Sequence, residues 1–286
     1  MPVSHRHPDH VARHSHNIIS ALPDKRRPTM VKFSLWALLP PINSAFTAAG
    51  LFLVYSLAVK NEKIVPLGAK NWRLNGSFYP PYISIAGNYP EASCIFSELM
   101  NISAFLGFIS AFLRYLQLKP LLDKAWLNVC CLVLFCLACF GMTLVGNFQL
   151  FTDEVTHNVG TLLTFGLGTL FCWAQSYITM RVNINNEGRK VGIARFLMSG
   201  LITFCTILYF TLGGLSLHTE GAQCQWALVM SFLFFLSTFA IEFRHSHFDF
   251  VCTDSRTNGR GAALSHAGKY SGGDSSDTWT GNKFKD

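Results

Sequence analysis

Six apolar stretches, each long enough to cross a bilayer as a helix, leave this chain little choice of architecture. A membrane helix needs about 20 mostly apolar residues to traverse about 30 Å of hydrocarbon. The stretches run from about Phe33 to Val59, Cys94 to Leu116, Ala125 to Asn147, Val159 to Met180, Ile193 to Leu217 and Gln223 to Phe243. Asp, Glu, Lys and Arg are nearly absent inside these limits; Glu98, Arg114 and Glu242 stand near segment ends. In lipid every backbone polar group must be paired within its own segment, so helices are expected throughout. Only 14% of the 286 residues are charged and 50% are hydrophobic, whereas soluble domains carry about 25% charged residues. The expected fold is therefore all-α: a polytopic membrane protein built as a six-transmembrane-helix bundle.

The basic residues set the orientation. Lys and Arg concentrate in cytosolic loops. Here they fall before the first segment (Arg6, Arg13, Lys25, Arg26, Arg27, Lys32), after the second (Arg114, Lys119, Lys124), after the fourth (Arg181, Arg189, Lys190, Arg195) and after the sixth. The loops after segments three and five carry Asp153, Glu154 and Glu220 and no Lys or Arg. Only the first long loop, 60–93, opposes the pattern, with Lys60, Lys63, Lys70 and Arg73. Both chain ends are thus expected in the cytosol. Asn75-Gly76-Ser77 in that first loop is a glycosylation sequon, which this topology places outside. A second match, Asn101-Ile102-Ser103, lies within segment two, where no modifying enzyme reaches.

Three regions follow: a basic, His-rich cytosolic tail over 1–32, the transmembrane domain over 33–252, and a cytosolic tail over 253–286. The last is rich in Ser, Gly, Asp and Lys and poor in aliphatics, so both tails are expected to be disordered. No hydrophobic core of a cleavable signal precedes the first segment, which is expected to act as the signal anchor. His5, His7, His10, His14 and His16 read as part of a polar tail, with weak metal ligation as the minor alternative. The net charge of +7 is spread over particular loops, not gathered in one patch, so no nucleic-acid partner is expected.

The nine cysteines do not form a disulfide framework. Cys130, Cys131, Cys136 and Cys139 share one apolar stretch, where thiols serve as small hydrophobes. Cys94 and Cys224 both fall at outer ends and would pair if close. Cys252, shortly beyond segment six, is a palmitoylation candidate. No zinc spacing, catalytic triad, P-loop or dinucleotide motif is present. No metal, cofactor or enzymatic activity is expected, and no potassium-filter or voltage-sensor signature appears.

Small residues at every fourth position let membrane helices pack closely. Segment four carries such a stripe: Gly160, Thr164, Gly168, Cys172 and Ser176. Segment two has a shorter one, Ser103, Gly107 and Ala111, and Pro40-Pro41 should kink or delay segment one. Charged groups in membranes commonly mark ion pathways. Glu98 is the best candidate, with Asn101 on the same face, either as an outer vestibule or as an interfacial carboxylate reaching water. Gln175 and Asn128 are expected to hold helices together. Gly146-Asn147-Phe148-Gln149 reads as a helix end, and His157 as either an outer pH sensor or a structural residue.

Several runs resemble one family. Pro81-Tyr82-Ile83-Ser84-Ile85-Ala86-Gly87 and Tyr89-Pro90-Glu91-Ala92-Ser93-Cys94 look like the first loop of the Frag/DRAM/Sfk superfamily. Arg114-Tyr115, Gly146-Asn147-Phe148-Gln149 and His157-Asn158-Val159-Gly160 look similar too. Leu116-Gln117-Leu118-Lys119-Pro120, Val182-Asn183-Ile184-Asn185-Asn186-Glu187-Gly188-Arg189 and Phe239-Ala240-Ile241-Glu242-Phe243-Arg244-His245 point to the transmembrane protein 150 group, and within it to the C-type branch. The resemblance covers roughly residues 33–252; the tails depart from it. It implies six helices, residence in the plasma membrane and in lysosomal or endosomal membrane, and a part in mechanically activated, slowly inactivating cation currents. That part is either a pore component, assembled with itself or with another channel subunit, or a modulator. The alternative is a non-conducting adaptor in autophagy or in placing a phosphoinositide kinase, with Arg189 and Lys190 as cytosolic contacts. Lipid remodelling, by superfamily analogy alone, ranks last.

Overall fold

The structure, a computed structural model, describes residues 34–69, 78–246 and 248. The sequon at Asn75, the His-rich start and Cys252 lie outside the described residues. Helices account for nearly all the regular structure: α1 (Leu39–Lys60), α2 (Ile83–Ala86), α3 (Pro90–Leu118), α4 (Ala125–Asn147), α5 (Glu154–Leu162), α6 (Gly168–Val182), α7 (Gly188–Gly214), α8 (His218–Ser237) and α9 (Ala240–Phe243). Among the described residues, five helical runs are long and apolar enough to cross a membrane: Leu35–Lys60, Pro90–Leu118, Ala125–Asn147, Gly188–Gly214 and His218–Phe243.

The fourth apolar segment differs from the expected single helix. A π-helical turn, Leu163–Leu167, joins α5 to α6 without a break in the chain's helical course. Such insertions are rare and concentrate at functional positions. Other helices outrun their apolar stretches. α3 begins at Pro90, α7 at Gly188 and α8 at His218, because backbone hydrogen bonding continues into polar residues where hydropathy stops. Pro40 and Pro41 delay α1: a 3-10 turn, Leu35–Leu38, precedes it, and the prolines occupy its first turn, where a missing N–H breaks nothing.

The columns close into a ring. α1 packs on α3, α3 on α4, α4 on the α5–π–α6 column, α6 on α7, α7 on α8, and α8 back on α1. Short connections force sequence neighbours to be antiparallel spatial neighbours. Buried polar contacts tie the neighbouring columns α1 and α3: Asn43 Nδ2 donates to the Ser103 carbonyl (3.3 Å), and Thr47 meets the Ser103 hydroxyl at 2.7 Å. The outward faces remain apolar, as on α7 with Leu197, Phe204 and Ile207.

The first loop folds back onto α8. The indole of Trp226 donates to the Pro81 carbonyl (3.0 Å), and the Ile83 amide donates to Gln225 Oε1 (2.8 Å). Ile64, Ile83, Ile85 and Ala86 join Leu51, Val54, Phe96 and Trp226 in one buried cluster. Cys94 and Cys224 are both free thiols, so the pairing considered for them is not formed.

Candidate functional site

The most heavily charged interior point lies at the basic end of the ring, where α3 and α6 finish, α7 starts and α9 closes the bundle. Arg114 (1% exposed), Arg195 (0%) and Glu242 (5%) meet there. Glu242 Oε1 lies 2.8 Å from Arg114 Nη2, and Oε2 lies 2.6 Å from Arg195 Nη2. Two guanidiniums share one carboxylate, so the cluster carries a surplus positive charge away from water. Neutral acceptors take up the remaining N–H groups. Thr179 Oγ1 accepts from both arginines, Gln175 Oε1 and Gln117 Oε1 accept from Arg114, and Thr238 Oγ1 accepts from Arg195. The Phe239 ring lies 4.4 Å from the Arg195 guanidinium and 5.5 Å from that of Arg114, adding attraction from its π face. Gln117 then donates to the Glu242 carbonyl and to Ser246.

The sequence reading assigned Arg114 and Arg195 to cytosolic loops and left Glu242 at a segment end. The structure corrects this: all three are helical and buried. The available signal was two cations and one anion within a turn of the same end of three apolar segments. The cluster fixes the relative positions of α3, α6, α7 and α9, and any sliding of these helices separates paired charges in a medium where separation is expensive.

Around the cluster the basic end presents an exposed rim. Glu187 and Arg244 form a bidentate pair at 2.5 and 2.6 Å, each less than half exposed. Asn183 adopts a left-handed conformation (φ 44°) and ends α6, which turns the chain sharply towards α7. Arg189 and Lys190 are exposed, but in the first turn of α7 rather than in a loop. That turn holds no acidic residue. Cations at a helix N-terminus oppose the helix dipole, so their placement does not serve helix stability. Lys119, Lys124 and Arg181 are exposed at the same end.

Glu98 and Asn101 part company. Glu98 points away from the ring and is exposed. Asn101 exchanges hydrogen bonds with Asn147 of α4 (3.0 and 3.1 Å), and Ser97 donates to the same Asn147 oxygen (2.7 Å). Asn147 therefore clasps α3 as well as ending α4. Gln175 binds Arg114, and Asn128 Nδ2 donates to the Tyr115 carbonyl at 2.9 Å, both inter-helix contacts.

The stripe on segment four touches three partners. Gly160 abuts Gly141 of α4, Thr164 donates to the Gly160 carbonyl and to Ala138, Gly168 faces Phe232 of α8, and Ser176 meets Ser199 of α7 at 3.0 Å. Cys172 is buried. At the opposite end of the ring, His157 is buried with Nδ1 donating to the Phe148 carbonyl (2.6 Å). Asp153 caps α5 by accepting from the Thr156 amide (3.1 Å), a bond that holds its carboxyl below the ordinary range. Burial pushes the Tyr82 phenol upward, so it stays a neutral hydroxyl at physiological pH.

The sequence profile of the Frag1/DRAM/Sfk1/Cwh43P N-terminal domain matches residues 35–246. Curated relatives align along most of their length. "Modulator of macroautophagy TMEM150B" of Danio rerio is 32% identical over 213 residues, covering 74% of this chain and 88% of that protein. The protein of the same name from Xenopus tropicalis is 30% identical, covering 73% of this chain and 87% of its own. "Transmembrane protein 150A" of Homo sapiens is 31% identical over 229 residues, covering 73% and 83%. No solved structure matches. With the profile spanning residues 35–246 and relatives of about 30% identity covering about three quarters of the sequence, the chain belongs to the transmembrane protein 150 family of the Frag1/DRAM/Sfk1 group.

Proposed function

We propose that this chain is a non-conducting multi-pass membrane adaptor that modulates autophagy through its basic end. The observation that carries the reading is the pair Arg189 and Lys190, exposed in the first turn of α7 against the helix dipole, in a chain similar to proteins named modulators of macroautophagy. Beneath them the Arg114–Glu242–Arg195 cluster holds the surface rigid. Anionic lipid or an acidic partner surface supplies the complementary charge, each basic residue near such a membrane contributing about 1 kcal/mol. We take the α5–π–α6 column as the sixth span, since at 1.5 Å per residue it reaches about 40 Å. Both termini then lie on the cytosolic side, in the plasma membrane and the lysosomal or endosomal membrane.

The test is re-expression in cells lacking the protein, with autophagic flux as the readout. Wild type restores the flux response. R189E/K190E, reaching the membrane in equal amount, does not. Normal flux with the double variant overturns the reading.

A second reading, a component of a mechanosensitive cation channel at the plasma membrane, rests on Glu98. An exposed carboxylate on an otherwise apolar outward face, between Ile95 and Ile102, gains a wet environment if copies or another channel subunit assemble around it. Stretch-activated currents from the purified protein in liposomes, changed in selectivity by Glu98→Gln, would establish that reading in place of the first.

A further inference from the structure

The end of the ring opposite the charge cluster holds two adjacent spaces of contrasting chemistry. The outer one is a chamber of about 630 Å³, walled by the first loop, the start of α5, the end of α7 and the start of α8. Its size falls in the range of about 300–1,000 Å³ typical of small-molecule sites. Beyond it, inside the ring, lies an apolar cavity of about 120 Å³ bordered by Phe96, Met100, Phe135, Met142, Phe165 and Phe232. Ser84, Thr161 and Gln225 border both spaces, so only these side chains stand between the chamber and the cavity. Phe165 belongs to the π turn, which places its ring on the cavity wall.

The chamber wall selects for charge. Tyr79, Tyr82, Tyr209 and Phe210 supply aromatic rings, and Glu154 supplies a carboxylate. Tyr82 stands edge-on to Tyr209, with centroids 6.2 Å apart. No Lys or Arg appears among the described lining residues. Aromatic faces and a carboxylate attract an ammonium group; an anionic head would meet Glu154 with no counter-charge. His157, also on this wall, spends its Nδ1 proton on the Phe148 carbonyl, and its Nε2 has no hydrogen-bond partner among the described residues. In the neutral ring that nitrogen is an acceptor. Unpaired buried polar atoms are rare enough to call for an account.

We propose that this end of the molecule binds a cationic amphiphile, an ammonium head on an alkyl tail, with the head in the aromatic chamber beside Glu154 and the tail passing Thr161 and Gln225 into the apolar cavity. A void of 120 Å³ holds about four water-sized groups, so the cavity takes the first methylenes of the tail. The cavity's largely apolar wall rewards an apolar occupant. This inference is independent of the adaptor reading, which uses only the basic end.

The experiment uses the full-length protein in nanodiscs and octylamine carrying a diazirine on its tail, with the matched octanoic acid as the control probe. Photolysis is expected to mark Phe135, Met142 or Phe232, to be competed by unlabelled octylamine, and to be at least about tenfold weaker for the acid. Glu154→Gln, a change at an exposed position, lowers amine labelling about fivefold while the thermal midpoint stays put. Ser84→Phe narrows the passage and removes tail labelling without touching the carboxylate. Equal labelling by both probes, adducts confined to lipid-facing positions such as Leu197 and Phe204, or labelling indifferent to Glu154→Gln overturns the proposal.

Discussion

Glu242 holds a position no single neighbour explains. It is one carboxylate between two buried guanidiniums, and its removal leaves like charges facing each other in a medium of low polarity. Breaking a buried ion pair by deleting one partner costs about 3–5 kcal/mol, whereas replacing every member by apolar residues of similar volume is often neutral. Glu242→Gln is accordingly expected to lower unfolding stability in detergent by about that much, read as a shift in denaturant midpoint. The triple variant Arg114→Met, Glu242→Leu, Arg195→Met is expected to regain most of it. If the triple variant is stable yet no longer modulates flux, the cluster serves positioning and not merely folding. Failure of the triple variant to recover stability would show that Thr179, Gln175 and Phe239 carry the cluster. At this scale the sequence was partly legible. Gln175 and Asn128 stand alone as polar residues in apolar stretches, which marks them as inter-helix contacts. Arg114 and Arg195 did not declare themselves, because a cation at a segment end normally reaches water, and only tertiary packing denies these two that escape.

Among the elements, the α5–π–α6 column shows why spacing alone misleads. Five small residues at intervals of four suggest one flat face, yet a straight helix drifts along such a row, and the π turn changes the register midway. The row therefore meets α4 at Gly160 and Thr164, α8 at Gly168 and α7 at Ser176. The tightest contact is at the top: a Cβ on Gly141 would lie 2.6 Å from the Gly160 carbonyl oxygen, and one on Gly160 would lie 2.8 Å from that of Gly141. Backbone cannot move aside as a side chain can. Gly141→Ala and Gly160→Ala are each expected to lose about 1–3 kcal/mol of stability. Gly200→Ala, in α7 with nothing within 4 Å, should be neutral or gain about 0.5–1 kcal/mol from the helix interior. Equal effects at all three sites would remove the close-packing explanation. Helix existence was legible from the apolar runs, while helix ends were not. The polar first turns of α3, α7 and α8 carry no hydropathy signal, and nothing in composition marks a π turn.

For the whole molecule, the ring and the charge distribution make one claim about sidedness. If every column crosses the membrane, antiparallel neighbours place Lys119 and Lys190 on one side and Val155 and Leu215 on the other. The structure removes Arg114 and Arg195 from the count of loop cations, and exposed Lys119, Lys124, Arg181, Arg189 and Lys190 still crowd the basic end. The expected orientation rests on these five cations and awaits a direct test. Single cysteines at these four positions, in a chain whose native cysteines are replaced, give the direct check. An impermeant maleimide added outside intact cells is expected to label Val155→Cys and Leu215→Cys at once. Lys119→Cys and Lys190→Cys should react only after permeabilisation. Labelling of Lys119→Cys and Lys190→Cys from opposite sides would show that the α5–π–α6 column does not cross, making the π turn the floor of a re-entrant segment and leaving five spans. Labelling of all four from the sides expected here fixes the aromatic chamber on the outer face and Arg189 on the cytosolic one, which is where an adaptor's contact surface has to be.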